Sequence, residues 1–169
     1  FRCESGAYPE ALAAARLLVA RYREPSWQQI GWGLIGRASL GAGDRAGAQQ
    51  AFGRAMEQKA ETPFAAESSL RLGELLLATN RLAEAEPLYR RSIAILEKLR
   101  GLDSPEVTPQ LNNLAALYQR QERYGDAEPL FKRSLAIREK SLGRDHPDLG
   151  QSLNNLATNY EKQGRHADS

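Results

Sequence analysis

The segment Leu111-Asn-Asn-Leu-Ala-Ala-Leu-Tyr118 returns as Leu153-Asn-Asn-Leu-Ala-Thr-Asn-Tyr160, 42 residues later. Across 111–127 and 153–169, 9 of 17 positions are identical. The preceding stretch repeats at the same spacing. Ala85-Glu-Pro-Leu-Tyr89 comes back as Ala127-Glu-Pro-Leu-Phe131, and 10 of 15 positions agree between 85–99 and 127–141. A fixed period of this length is the mark of stacked repeats. One unit cannot bury its apolar face alone, so neighbours complete the core.

Each unit reads as two helices. In the third, Leu111, Leu114, Ala115 and Tyr118 form one stripe of a first helix. Arg123 and Tyr124 mark a turn. Ala127, Leu130, Phe131, Ser134, Leu135 and Ile137 then stripe a second helix that runs to about Ser141. Breaks fall where the chemistry supplies them: Gly143 suits a helix end and Pro147 the first turn of the next helix. In the matching connector, Gly101 takes the place of Gly143, and Ser104 is a capping candidate. Pro87 and Pro129 recur inside second helices, where proline ordinarily costs about 3 kcal/mol. Two occurrences at one place point to a tolerated bend near the helix start.

These motifs resemble the tetratricopeptide repeat family, whose signature sets a large residue, Leu-Gly and Tyr on the first helix and Ala-x3-Phe on the second. The second unit has Leu72-Gly73 and then Ala85-x3-Tyr89. The first has Trp32-x2-Ile35-Gly36, then Ala48-x3-Phe52 and Ala55. Tyr8 and Ala11 stand in the places of Tyr124 and Ala127, which makes the N-terminal segment an orphan second helix. The later units resemble the long, 42-residue subtype of kinesin light chains and many bacterial proteins. The resemblance covers nearly the whole chain. It implies an all-α fold, an α-solenoid of antiparallel helix pairs wound as a superhelix. The expected organisation is one array over 1–169: an orphan helix at about 8–23 and repeats at about 26–61, 63–101, 105–143 and 147–169, the last incomplete. Gly36, Gly73, Ala115 and Ala157 are small where first helices lie close. Ala48, Ala85 and Ala127 are small where second helices pass them.

Composition narrows the function. The chain has 169 residues with 23 Lys+Arg against 21 Asp+Glu, a net charge of +2. That near balance, without a basic stripe interleaved with aromatics, argues against a nucleic-acid partner. No stretch approaches the roughly 20 apolar residues of a membrane span. The apolar run Ala11 to Ala20 is broken by Arg16 and has helical spacing, so it is an amphipathic helix and not a leader. One cysteine, Cys3, allows no intrachain disulfide and fits a reducing, cytoplasmic location. The excess of Arg over Lys and the abundance of Ala suggest a GC-rich bacterial source. The chain begins at Phe1 rather than Met, as a piece of a longer protein would.

Several features imitate catalytic motifs. Gly31 to Gly43 is glycine-rich, but it lacks Gly-Lys-Ser/Thr and no strand precedes it. Gly36 reads instead as a packing glycine and Gly41-Ala-Gly43 as the turn between helices. His146 and His166 have no ligand partners at metal spacing, and Cys3 has no His beside it. The acids Glu84, Glu86, Asp126 and Glu128 sit in first turns, where the helix dipole favours them. Arg90-Arg91 and Lys132-Arg133 read as a solvated outer face, and Trp27, Trp32 and the tyrosines as core. The sequence implies no enzyme, no cofactor and no metal.

First helices line the inner face of such a stack. At about 100° per residue, Leu114, Ala115 and Tyr118 fall within about 60° of Leu111, while Asn113, Ala116 and Arg120 fall about 140–200° away. The same arithmetic gives Asn155, Thr158 and Lys162 in the fourth unit, Arg71, Glu74 and Ala78 in the second, and Leu34, Arg37 and Gly41 in the first. The groove is therefore expected to present Arg37, Arg71, Arg120 and Lys162 against the single acid Glu74. Asn113 and Asn155 carry donor and acceptor together and suit a peptide backbone. The expected function is protein–protein interaction: an extended, acidic peptide held in the groove. The alternative is a regulatory or sensor arm of a larger multidomain bacterial protein. With no capping helix at either end, self-association through the uncapped repeats is expected too.

Overall fold

The computed structural model describes residues 8–58, 61–147 and 149–164. Among these the backbone forms eight α-helices and one 3-10 turn, with no strand. In order they are α1 (Tyr8–Arg21), α2 (Pro25–Gly41), α3 (Arg45–Glu57), α4 (Pro63–Ala78), α5 (Leu82–Arg100), the turn Pro105–Val107, α6 (Thr108–Arg120), α7 (Tyr124–Leu142) and α8 (Leu149–Lys162). Cys3, Asp148 and His166 lie outside the described residues.

Local chemistry sets the ends. The Thr62 hydroxyl accepts from the Ala65 N–H at 3.2 Å, and the Asp44 carboxylate from the Gly47 N–H at 2.8 Å. Each thus satisfies a donor that the first helical turn leaves without a partner. Ser104 does the same for Glu106 at 3.3 Å, ahead of the 3-10 turn. Gly143 ends α7 with φ 88°, a left-handed conformation that costs glycine little. Within the later pairs the turn residue is Asn80 or Glu122, with φ 59° and 60°. The next residue clamps the following helix: Arg81 donates twice to Glu84 at 2.7 Å, and Arg123 to Asp126 at 2.8 Å. Pro147 precedes α8 and does not join its first turn, since the helix begins at Leu149. Pro87 and Pro129 lie inside α5 and α7 on the exposed side.

The chain divides into two compact units, 1–95 and 96–169, with the boundary inside α5. In the first, α2 packs against α1, α3 and α4. Phe52, Ala48 and Ala55 are fully buried. A methyl group on Gly36 would come within 2.5 Å of the Phe52 ring, and one on Gly73 within 2.8 Å of Tyr89. Gly36 and Gly73 therefore make room for a ring on the second helix of their own pair, while Gly33 of α2 faces Ser68 of the next first helix, α4. Gln29, also fully buried, donates to the Ala55 carbonyl at 3.3 Å and accepts from the Thr62 hydroxyl, tying α2 to the end of α3 and the start of α4.

In the second unit α7 packs between α6 and α8. Leu111, Ala115 and Ala127 are fully buried, with Leu114, Tyr118, Phe131 and Ile137 nearly so. The aromatic expectation fails at one place. Trp27 and Tyr22 are exposed and pack on each other at 5.6 Å between ring centres, because the short α1–α2 connector holds both at the surface. The basic pairs also divide. Arg90 and Lys132 are exposed, whereas Arg91 donates to the Met56 carbonyl at 3.2 Å and Arg133 to the Leu102 carbonyl at 2.7 Å. The second cation of each pair is thus a strut to an upstream backbone carbonyl.

Candidate functional site

The second unit holds a polar cavity of about 290 Å³. Its position follows from the α6 stripe. With Leu111, Leu114, Ala115 and Tyr118 turned into the core, Asn112, Asn113, Ala116 and Gln119 are left to face outward beside α8. Gln151 and Asn155 of α8 and Arg138 of α7 complete the polar lining. The side-chain oxygen of Asn112 is buried and has no hydrogen-bond partner among the described residues.

Two bridges fix α8 beside this cavity. Gln119 donates to the Asn159 side-chain oxygen at 3.1 Å, and the Asn159 amide donates to the Tyr124 carbonyl at 3.0 Å. Asn159 is fully buried, so its amide has to be satisfied inside the protein. Arg138 donates to the buried Ser152 hydroxyl at 3.1 Å. A second space of about 500 Å³, lined by Pro105, Thr108, Ser141 and Pro147 among others, shares Arg138 and Gln151 with the first. Arg138 therefore carries charge to both.

Of the residues marked out by sequence, Asn113 and Asn155 meet in this cavity. Arg120 and Lys162, at the ends of α6 and α8, are exposed and do not line it. The Lys162 ammonium lies 5.9 Å from the centre of the Tyr124 ring. Arg37 and Arg71 belong to the first unit, and both have acids beside them. Arg37 is 3.7 Å from Glu67, and Arg71 donates to Glu74 at 3.0 Å. Sequence arithmetic counted Glu74 and missed Glu67, so the first unit balances two cations with two acids. It also missed Arg138, which lies on a second helix. One signal was present: in the stretches that repeat at 42 residues, Arg138 replaces the buried Leu96. A charge at a core position of the repeat marks a place where the packing has opened.

Among the described residues no group of three or more His, Cys, Asp or Glu is placed to hold a metal ion, and no helix is long and apolar enough to cross a membrane.

Comparisons agree with this architecture. The tetratricopeptide repeat is matched over residues 34–98 and again over 108–169. The chain belongs to the tetratricopeptide repeat family, and its fold is an all-α solenoid of helix pairs. Repeats of this family generally mediate protein–protein interaction and typically serve as non-enzymatic scaffolds. Among solved structures, the chain is similar to BtubC (BKLC) from P. vanneervenii, with TM-score 0.80 and 26% identity over 95% of this chain. It spans 65% of that protein's length. A Podosopora anserina protein with nearly identical TPR-like repeats, designated a kinesin light chain, gives TM-score 0.75 and 23% identity, covering 96% of this chain and 82% of that one. MamA of MSR-1 shares the fold at TM-score 0.63 and 16% identity, over 97% and 89% of the two chains. No curated protein matches the sequence.

Proposed function

We propose that this chain is an interaction module that holds an extended, acidic peptide segment against the α6–α8 face. The observation that carries the reading is the meeting of Asn113 and Asn155 in one polar cavity, beside the unpartnered oxygen of Asn112. A peptide backbone offers alternating N–H and C=O groups, and side-chain amides match both. A buried acceptor without a partner is costly, so the Asn112 side chain gains by turning its oxygen out to a peptide N–H. Arg138 inside the cavity, with Arg120 and Lys162 beyond it, supplies positive charge for acidic side chains. In the first unit Arg71 stands in the place of Asn113 and Arg37 in that of Ala116. An acidic ligand there has to compete with Glu67 and Glu74, so the second unit dominates. The half-covered faces of the terminal helices support association between chains as well.

The test is a titration of acidic, neutral and basic extended peptides at two salt concentrations. The parent should prefer acidic peptides, more weakly at high salt. Removing Arg120 and Lys162 together should weaken acidic peptides and flatten the salt dependence. Asn113→Ala should weaken acidic and neutral peptides alike, by about 2- to 10-fold for the loss of one hydrogen bond worth ~0.5–1.5 kcal/mol. A preference for basic peptides, or a double variant that binds like the parent, contradicts the reading.

A further inference from the structure

Ala11, Ala48, Ala85 and Ala127 hold the same place on α1, α3, α5 and α7, so cations can be compared by counting from them. Five residues on, α5 has Arg90 and α7 has Lys132, and each is held by an acid of its own helix. Arg90 meets Glu86 at 2.8 Å, and Lys132 meets Glu128 at 2.7 Å. In α1 the same count gives Arg16, but Leu12 stands where that acid would be. Six residues on is the strut position, from which Arg91 donates to the Met56 carbonyl at 3.2 Å. In α3 this place is Arg54, and the carbonyl in the place of that of Met56 belongs to Val19. Gln28 has taken it, donating to the Val19 and Tyr22 carbonyls. Arg54 lies instead over the ring of Trp32, 4.6 Å from its centre. Among the described residues neither Arg16 nor Arg54 is bonded to an acid or a carbonyl. Both line one cavity of about 500 Å³, walled by α1, α2 and α3. Its apolar side is formed by Leu12 and Trp32, which pack against the core residues Ile35 and Ala51. The single acid in its lining, Asp44, is engaged in capping α3 through the Gly47 N–H.

We propose that this cavity is a second recognition site, which takes a carboxylate side chain of a partner protein together with an apolar side chain next to it. The chemistry is the chain's own. A glutamate satisfies the matching cation in α5 and in α7, and at Arg16 that glutamate has to come from another protein. A guanidinium is a planar fork of N–H donors that suits a carboxylate, and the cavity offers two. Arg16 and Arg54 are exposed, and ion pairs at an exposed surface are weak by themselves. The apolar neighbour therefore contributes as well, by covering what remains open of Leu12 and Trp32. The site lies wholly in the first unit and shares no residue with the α6–α8 face, so either reading can fail alone.

The chain has two tryptophans, and Trp27→Phe leaves Trp32 as a reporter inside the cavity. Fluorescence of that variant is titrated with an extended peptide carrying glutamate between leucines, and with the same peptide carrying glutamine. The glutamate peptide should shift the Trp32 emission and saturate. Arg16→Gln and Arg54→Gln, both at exposed positions, should each weaken it by about 2- to 5-fold. The glutamine peptide should bind the parent about 4- to 25-fold more weakly, since it forgoes both pairs. Leu12→Glu gives Arg16 the acid that Arg90 and Lys132 already have, and should abolish the response. Leu12→Gln, of the same size without the charge, should bind more tightly than Leu12→Glu. Circular dichroism checks that all variants stay helical. An emission that does not change with the glutamate peptide overturns the proposal. So does equal binding of the two peptides, or a Leu12→Glu variant that binds like Leu12→Gln. Inorganic phosphate is the competitor: if it displaces the peptide at equal concentration, the cavity holds an anion only and the protein partner is wrong.

Discussion

At Gly36 and Gly53, one substitution should have opposite signs. Replacing a helical glycine by alanine ordinarily stabilises by about 0.5–1 kcal/mol, because the unfolded chain loses freedom. At Gly53 nothing lies within 4 Å of the added methyl, so Gly53→Ala should raise the melting temperature. At Gly36 the methyl would meet the ring of Phe52, which is fully buried and cannot swing away. Gly36→Ala should therefore destabilise, by about 1–3 kcal/mol for overpacking. Ala127, with no exposed surface, belongs to the same class, and Ala127→Leu should cost a similar ~1–3 kcal/mol. Urea unfolding of the three variants checks all three signs. The importance of Gly36 and Ala127 was legible in the sequence because a repeat returns its small residues in register. The contact that Gly36 makes was not, since spacing along one helix does not say which neighbour's ring comes across.

The helices are joined by recurring polar struts, and one of them holds a carboxyl away from its ordinary value. Asp103, in the connector after α5, accepts from the Lys140 ammonium of α7 at 2.7 Å. That hydrogen bond first, and the charges of Lys140 and Arg133 with it, hold the Asp103 carboxyl below its ordinary value. A carboxyl whose pKa is lowered by folding adds stability above its unfolded value, about 3.9, and loses it as pH falls through the folded value. The group is exposed, so the effect is small but has a fixed sign. Asp103→Asn should melt below the parent at neutral pH, and the gap should close in acid once the folded-state carboxyl is protonated. Thermal scans from pH 7 to pH 2 would show it; a gap that widens in acid contradicts the assignment. Arg91 and Arg133 are struts of another kind, reaching the carbonyls of Met56 and Leu102. The sequence reads both as solvated cations, because a charge beside a charge is usually surface. Their true role depends on backbone carbonyls 35 and 31 residues upstream, which no local pattern specifies.

For the whole molecule, the repeat period made the helix pairs, their order and the buried stripes legible before any coordinate, because each unit restates the packing of the last. The candidate site was legible only in part. Asn113 and Asn155 occupy equivalent places in the repeat, so periodicity finds both. Arg138, Glu67 and the buried, unpartnered oxygen of Asn112 are departures from the repeat or contacts across helices, and periodicity cannot see them. The central claim is that an acidic peptide lies along the polar cavity of the second unit. The most direct measurement is amide chemical-shift mapping on the labelled chain, titrated with an acidic extended peptide. The account predicts that the largest changes fall on the backbone of 109–120 and 151–162 and on the side-chain amides of Asn112, Asn113 and Asn155. Changes confined to the exposed Trp27–Tyr22 pair or to the outer face of α7, with those three amides unmoved, would contradict it.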